Sequence, residues 1–158
     1  MLEISLQTDH PQWKKILQKS RKDFTRALQV TFDALDVPKK DFTVAVSFIS
    51  DAEMQSLNAQ YRNKDKPTNV LSFPMIEDFA DLDQWPGPAE LGDIVIAYET
   101  TSNEAELEDK TIQDHTTHLL VHGLLHLFGY DHMNKKDQKE MEEFEIEILV
   151  GLGIADPY

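Results

Sequence analysis

Apolar residues alternate with polar ones in some segments of the chain and recur at helical spacing in others. Leu2, Ile4 and Leu6 alternate with polar residues, and residues 42–49 do the same, which predicts two strands. Short apolar runs predict two further strands, at 70–73 and 91–98. Apolar positions three and four apart predict helices at 11–35, 50–61, 101–108, 111–128 and 136–150. The order β-α-β-α-β-β-α-α-α predicts an α+β fold, with a single mixed sheet of about four strands packed with about five helices.

Local signals indicate where several of these elements begin and end. Asp36-Val37-Pro38 ends the first long helix, because a residue that precedes proline disfavours the helical conformation. Ser50 and Glu53 have the spacing of a capping box, so a helix should begin there. Residues 77–90 are acidic and rich in proline, which predicts a loop. The segment 111–128 has almost no polar face, so we expect that helix to be buried.

Length and composition favour a single soluble domain. The 158 residues suit one domain that spans residues 1–158, and 41% of them are hydrophobic, as in ordinary globular proteins. No apolar run is long enough to cross a membrane, and the first residues lack the pattern of a signal peptide. There are no cysteines, so no disulfide or thiolate metal site can form. We therefore expect a cytoplasmic protein with no membrane contact.

The charge is strongly negative and unevenly distributed. The net charge is −14, yet residues 1–66 hold 11 Lys and Arg against 9 Asp and Glu. The overall charge repels nucleic acid at long range, so an RNA substrate would need a local basic surface. The candidates are basic residues of the first long helix, among them Lys14, Lys15 and Lys22, together with Arg62, Lys64 and Lys66. The alternative is an ordinary solvated helix face.

One stretch can supply a metal site: His122-Gly-Leu-Leu-His126-Leu-Phe-Gly129-Tyr-Asp-His132. His122 and His126 lie on one helical face, separated by about 6 Å along the axis. A continued helix would carry His132 out of reach, but Gly129 can adopt the left-handed conformation that ends a helix and turns the chain back. Three imidazoles suit zinc and leave a fourth position open, as in catalytic sites. The site is expected at the C-terminal end of the helix 111–128, with one ion per chain.

The other histidines fit this pattern less well. His118, His122 and His126 form a stripe about 12 Å long, which is too long for one tetrahedral ion on a straight helix. His118 is therefore expected to pack or to support a ligand, and His10 and His115 are expected to be surface or satisfied core residues.

Gly123 distinguishes this motif from that of a peptidase. The three histidines have the spacing of the metzincin pattern, in which the residue after the first histidine is a glutamate general base. Here that residue is Gly123, so peptide hydrolysis by that mechanism lacks the group that activates water. Activation of water by the metal itself remains available.

The three-histidine block resembles the signature of the YbeY family, which are bacterial zinc-dependent endoribonucleases of rRNA maturation and ribosome quality control. Two further blocks support the resemblance. Residues 61–74 are Tyr-Arg-Asn-Lys-Asp-Lys-Pro-Thr-Asn-Val-Leu-Ser-Phe-Pro, and residues 91–96 are Leu-Gly-Asp-Ile-Val-Ile. The blocks stand in the family's order and the resemblance covers nearly the whole chain. The family often has aspartate where this chain has Asn69.

The resemblance implies roles for particular residues. His122, His126 and His132 would be the zinc ligands, and Arg62 and His122 would be catalytic. Arg62 matches the family's functionally important arginine, whose guanidinium could hold a phosphate with two hydrogen bonds. Asp131 would either orient a ligand imidazole or serve as a turn residue. The strand residues 71–73 would build the sheet edge beside the site.

The predicted function is that of a single-strand-specific, metal-dependent endoribonuclease acting in rRNA processing, including maturation of the 16S rRNA 3′ end, and in ribosome quality control. Zinc would polarise the scissile phosphate or activate the nucleophile, which could be water or the RNA 2′-hydroxyl. Two alternatives are a zinc hydrolase of peptides or small molecules and a non-catalytic ribosome-assembly factor. The resemblance implies single-stranded rRNA, the small ribosomal subunit, a small-subunit ribosomal protein and an assembly GTPase as partners of a monomeric protein.

Overall fold

Four strands and five α-helices follow one another in the predicted order. A computed structural model describes residues 1–84, 86–130 and 135–158, with the backbone alone at 81, 83, 135 and 136. Within these residues the strands are β1 (Leu2–Thr8), β2 (Phe42–Ile49), β3 (Val70–Pro74) and β4 (Ala89–Ala97). The helices are α1 (Pro11–Ala34), α2 (Asp51–Arg62), α3 (Tyr98–Leu107), α4 (Ile112–Leu127) and α5 (Lys135–Gly151). The predicted α+β class and element order are therefore confirmed.

The strands form one mixed sheet in the order β1-β2-β4-β3. β1 pairs with β2, and β2 with β4, in parallel, whereas β3 runs antiparallel to β4. β3 is consequently an edge strand. Its register sets Leu71 opposite Val95 and Phe73 opposite Asp93.

The two faces of the sheet are covered unequally. One face buries the alternating residues of β2 and β4 against α1 and α4, including Phe48, Ile94, Trp13 and Leu124. Each such side chain contributes about 1.5–3 kcal/mol when it is removed from water. On the other face, Met54 of α2 packs on a smaller cluster that contains Leu71, Val95 and Ala97.

α4 is the central helix of the fold. Its Leu120 and Leu124 face the sheet, while Val121 and Leu125 pack against Met141, Ile148 and Leu149 of α5. Because both sides of α4 are covered, the helix needs the nearly continuous apolar sequence from which burial was predicted. No helix within the described ranges combines the length and the apolar character that a membrane span requires.

Two element predictions were wrong in detail. α3 begins at Tyr98, directly after β4, rather than at Thr101. The Asp51 carboxylate accepts hydrogen bonds from the Thr100 backbone N–H at 3.0 Å and its hydroxyl at 2.7 Å, so the first turn of α3 is capped by a distant residue. The predicted loop 77–90 also contains a 3₁₀ helix, Phe79–Gln84, whose Leu82 is fully buried in the main core.

Candidate metal centre and cleft

His122 and His126 converge in the last two turns of α4. Their Nε2 atoms are 3.0 Å apart and their ring centroids 4.5 Å apart, with an angle of 73° between the rings. Two nitrogens bound to one tetrahedral zinc at about 2.0–2.1 Å lie roughly 3.3 Å from each other. The pair therefore needs little movement to bind one ion through both Nε2 atoms.

α4 ends as the glycine predicts. Gly129 has φ of +96°, its N–H donates to His126 O at 3.0 Å, and Tyr130 N–H donates to Leu125 O at 3.1 Å. This is the Schellman pattern, in which a left-handed residue closes the last turn of a helix. The chain thus turns directly after His126. The predicted ligand His132 and its neighbour Asp131 lie outside the described residues, and both remain predictions.

A buried carboxylate from α5 holds the His122 ring. Glu145 has 0% of its surface exposed, and its Oε1 lies 2.6 Å from Nδ1 of His122. A carboxylate can only accept, so Nδ1 carries the proton and Nε2 of the neutral ring keeps its lone pair. Carboxylate–histidine pairs of this kind fix the ring and the tautomer in metal sites. Glu145 therefore directs Nε2 of His122 toward His126.

The second oxygen of Glu145 is shared by two further side chains. Oε2 lies 3.2 Å from Nε2 of His118 and accepts a short hydrogen bond from the hydroxyl of Tyr158. Burial alone would raise the pKa of Glu145, but the hydrogen bonds from His118 and His122, the positive charge that His122 carries when it is protonated and the Tyr158 hydroxyl lower it to about 2. Burial and the same carboxylate raise the pKa of Tyr158. His118 thus supports Glu145, which fits its predicted supporting role.

An open cleft runs along β3 beside the histidines. Its volume is about 750 Å³, and its lining includes Tyr61 and Arg62 of α2, residues 69–74, His122 and His126. The structure therefore places Arg62 in the same cleft as His122 and His126, the two candidate ligands that it describes. Arg62 is 60 or more positions away from either histidine in the sequence. Of the described residues that line the cleft, Arg62 is the only lysine or arginine, and no described residue forms an ion pair or hydrogen bond with its side chain.

Gly123 of α4 lies close to strands β3 and β4. The Ser72 hydroxyl donates to the Gly123 carbonyl at 3.2 Å. A Cβ atom built on Gly123 would lie 2.9 Å from Cγ2 of Ile94 in β4, so this position faces the sheet and lets α4 approach it closely. A glutamate here would point into the core and not into the cleft. The geometry thus agrees with the sequence argument against a glutamate-dependent peptidase.

Asn69 lies at the junction between the cleft and a buried pair. Its amide donates to Glu104 Oε1 at 2.9 Å, and the same oxygen accepts from His115 Nε2 at 2.8 Å. Burial raises the pKa of Glu104, but these hydrogen bonds outweigh it and lower the pKa overall. An aspartate at 69 could not donate this bond. His115 is a core residue whose Nε2 is paired with Glu104, but its buried Nδ1 has no hydrogen-bond partner among the described residues.

The whole chain can be compared with known proteins. The family model described as "Endoribonuclease YbeY" matches residues 7–153. The chain belongs to the YbeY family. The protein named "Endoribonuclease YbeY" from Paramagnetospirillum magneticum is 40% identical over 158 residues, which cover 99% of this chain and 96% of that one. Its namesake from Bartonella bacilliformis is 43% identical over 160 residues, with 100% and 98% covered.

A solved structure supports the fold of this YbeY-family chain. The solution structure of TM1509 from Thermotoga maritima matches with a TM-score of 0.53 and 23% identity. The match covers 99% of this chain and 98% of that one. The α+β architecture is therefore shared along the whole length.

Sequence reasoning missed Glu145, the residue that organises this YbeY-family site. The apolar positions of α5 that pack inward include Met141, Ile148 and Leu149, and Glu145 occupies the same stripe at helical spacing. A lone acid on an apolar stripe was the available signal, because burying an unpaired carboxylate is costly. Its partner could not be found from the sequence, since His122 is 23 residues away and on another helix.

The basic residues of α1 are not brought to the cleft. α1 packs on β1, where Arg21 donates to the Leu6 carbonyl at 3.2 Å, and β1 and β3 are the opposite edges of the sheet. Lys14, Lys15 and Lys22 are exposed there, and no described residue of α1 lines the cleft.

The residues present fit a zinc ion in this YbeY-family site. Two imidazole nitrogens converge, and a buried carboxylate fixes the proton on the opposite nitrogen of one ring. Among the described residues there is no set of three histidine, cysteine or acidic side chains able to bind a metal, and the predicted third ligand, His132, lies outside them.

Replacing Gly123 with alanine is expected to destabilise the protein by up to about 2 kcal/mol. Alanine gains about 1 kcal/mol of helix propensity, but overpacking against Ile94 costs about 1–3 kcal/mol. Urea unfolding at constant m-value measures the difference. Gly151→Ala in α5 is the matched control, because a Cβ there meets no atom within 4 Å, and its stability should be unchanged or higher. A Gly123→Ala protein that is more stable than the wild type by about 1 kcal/mol, the gain expected without a clash, would contradict the close approach.

Proposed function

We propose that this YbeY-family protein is a single-strand-specific, zinc-dependent endoribonuclease that acts in rRNA processing, including 16S rRNA 3′-end maturation, and in ribosome quality control. One observation carries the proposal: Arg62 and the convergent Nε2 atoms of His122 and His126 line the same cleft. The curated relatives from two organisms, which cover nearly the whole chain, are named endoribonucleases.

Each side chain has a separate task in this proposal. Arg62 holds the scissile phosphate, and its planar guanidinium can form two parallel hydrogen bonds to phosphate oxygens. His122, His126 and His132 hold one zinc ion, and Glu145 keeps the proton of His122 on Nδ1. Bound zinc supplies a Lewis acid for the phosphoryl oxygens and lowers the pKa of water. Arg62 stabilises the charge that develops on the phosphoryl group.

Replacing Arg62 with alanine should lower kcat for cleavage of single-stranded RNA by about 100-fold, as expected for loss of a donor to developing charge. Zinc content should not change, because Arg62 is exposed and belongs to α2 rather than to the histidine helix. Arg62→Lys should recover only part of the rate, since lysine cannot form the paired hydrogen bonds. Initial rates on a labelled RNA, with zinc content measured on the same samples, test both statements.

The matched control for charge is Lys39→Ala. Lys39 is an exposed cation in the segment between α1 and β2 and does not line the cleft. Its removal should leave the rate within about two-fold, as is usual for surface positions. Equal loss of rate in both variants would show that Arg62 acts only through the net charge. Full activity of Arg62→Ala would remove it from the site.

We extend the proposal to the cellular setting that the family resemblance implies. The protein is taken to be a cytoplasmic monomer whose 158 residues form one domain, and to act on the small ribosomal subunit with a small-subunit ribosomal protein and an assembly GTPase. The net charge of −14 favours recruitment through a protein partner rather than through RNA alone. Co-sedimentation with 30S particles, before and after removal of single ribosomal proteins, tests this recruitment.

A further inference from the structure

An exposed aromatic side chain lies next to Arg62 in the cleft. Tyr61 is 61% exposed, and its ring and that of Phe73 form a T-shaped contact with a centroid distance of 5.4 Å and an angle of 69°. Both rings line the cleft that contains Arg62, His122 and His126.

The Tyr61 side chain is not part of the apolar cluster that packs α2 on the sheet. α2 buries Met54 and Asn58 against the sheet, and Phe73 packs against the cluster under α2, but Tyr61 does not. The Tyr61 hydroxyl has no hydrogen-bond partner among the described residues, although buried tyrosines usually have one. Phe73 thus packs against a ring that lines the cleft and remains largely exposed.

The charge of the protein makes such a surface useful for binding RNA. A net charge of −14 repels a polyanion, and Arg62 is the only cation among the described residues that line the cleft. One phosphate contact supplies little affinity and weak salt dependence. A contribution to RNA affinity that does not depend on charge would therefore compensate for this repulsion. Stacking of a base on an aromatic ring is a contribution of this kind.

We propose that Tyr61, supported by Phe73, is a stacking site for the nucleobase beside the phosphate that Arg62 holds. The proposal rests on the proposed function and deepens it by naming what recognises the substrate. Single strands are selected because both faces of a base in a duplex are already covered, whereas an unpaired base can turn onto a side chain. Any of the four bases can stack on the ring, so the site is expected to select single-stranded RNA with little preference for a particular base.

The test compares Tyr61→Leu, which keeps apolar bulk, with Tyr61→Phe, which keeps the ring. The probe is a short single-stranded RNA that carries 2-aminopurine, whose fluorescence changes on stacking. Tyr61→Leu should raise Kd about 10-fold and remove the fluorescence change, whereas Tyr61→Phe should stay within about two-fold. In a salt series Tyr61→Leu should keep the slope of the wild type, while Arg62→Ala should reduce it by about 0.7, the single-strand value for one phosphate contact.

An RNA with an abasic nucleotide at the probed position separates stacking from a change in folding. Wild type and Tyr61→Leu should bind this RNA equally, because the base that the ring contacts is missing. Unchanged binding of 2-aminopurine RNA by Tyr61→Leu, or an equal defect on abasic RNA, would overturn the stacking site. Cleavage of single-stranded RNA by the wild-type protein tests the nuclease proposal separately. If the wild type cleaves RNA and Tyr61→Leu binds as well as the wild type, only the stacking site is rejected. If Tyr61→Leu loses binding but the wild type does not cleave RNA, only the nuclease proposal is rejected.

Discussion

Replacing His126 with alanine is expected to reduce the zinc content of the purified protein from about one ion per chain to near zero and to abolish RNA cleavage. A three-imidazole site that loses one ligand keeps only two protein donors, which is fewer than the three found in catalytic zinc sites. Nε2 of His126 is also the atom that approaches Nε2 of His122 at 3.0 Å, so the change removes half of the convergent pair. Elemental analysis after dialysis and RNA cleavage by the same samples measure the two losses.

His118→Ala is the matched control for this experiment. It removes an imidazole from the same helix, one turn before His122. The variant should retain a zinc content of about one ion per chain, because Nε2 of His118 contacts Glu145 and Tyr158 rather than the Nε2 atoms of the convergent pair. Loss of zinc in His118→Ala with full zinc in His126→Ala would reassign the ligands. Zinc-free His126→Ala protein that still cleaves RNA would separate the nuclease activity from the metal.

Replacing Glu145 with glutamine is expected to weaken zinc binding by about 10–100-fold without removing the ligands themselves. Glutamine has nearly the same shape and can still accept from Nδ1 of His122, but it lacks the negative charge that makes the imidazole a stronger donor to a metal. Competition with a chelator of known affinity measures the change. Tyr158→Phe removes one of the two groups that contact Oε2 and keeps the carboxylate, so it should have the smaller effect of the two. Equal zinc affinity in wild type and Glu145→Gln would show that Glu145 serves packing alone.

The same carboxylate should make the metal-free protein sensitive to acid. The pKa of Glu145 falls from 4.5 to about 2 in the folded protein, so its contribution is fully present above pH 4.5 and is lost as the pH falls toward 2. A difference of this size corresponds to about 3 kcal/mol of the free energy of unfolding. Urea unfolding between pH 2 and 6 should therefore show a steeper loss in wild type than in Glu145→Gln. Parallel curves would mean that the carboxylate is not stabilised by its histidine partners.

Local sequence signals succeeded where the structure depends on local interactions. Ser50 accepts from the Glu53 N–H at 3.2 Å and begins α2, and Gly129 ends α4 with a positive φ, as the spacing of these residues predicts. The start of α3 was predicted wrongly because its cap, Asp51, is 49 residues away from Thr100. The 3₁₀ helix 79–84 was missed although Asp78 Oδ1 accepts from the Ala80 N–H at 2.9 Å at its start, because the burial of Leu82 in the main core depends on residues far away in the sequence.

Some features of the candidate site were likewise predictable from local sequence, whereas others depend on tertiary packing. The spacing of His122 and His126 alone predicts that the two rings share a helical face, and Gly123 alone excludes a glutamate base, since both are properties of one helix. The proximity of Arg62 to these histidines depends on β3 lying between α2 and α4, which only the packed sheet establishes.

The sequence by itself determined the order of the elements, the imidazole pair and the family resemblance, because periodicity, helix geometry and motif spacing are local properties of the chain. Only the tertiary structure decided that Glu145 of α5 fixes the proton on His122 and that Tyr61 and Arg62 lie beside the histidines. These relations join residues on different helices. They arise when the apolar surfaces of α4 are buried against the sheet on one side and α5 on the other, a result of packing that no local pattern encodes.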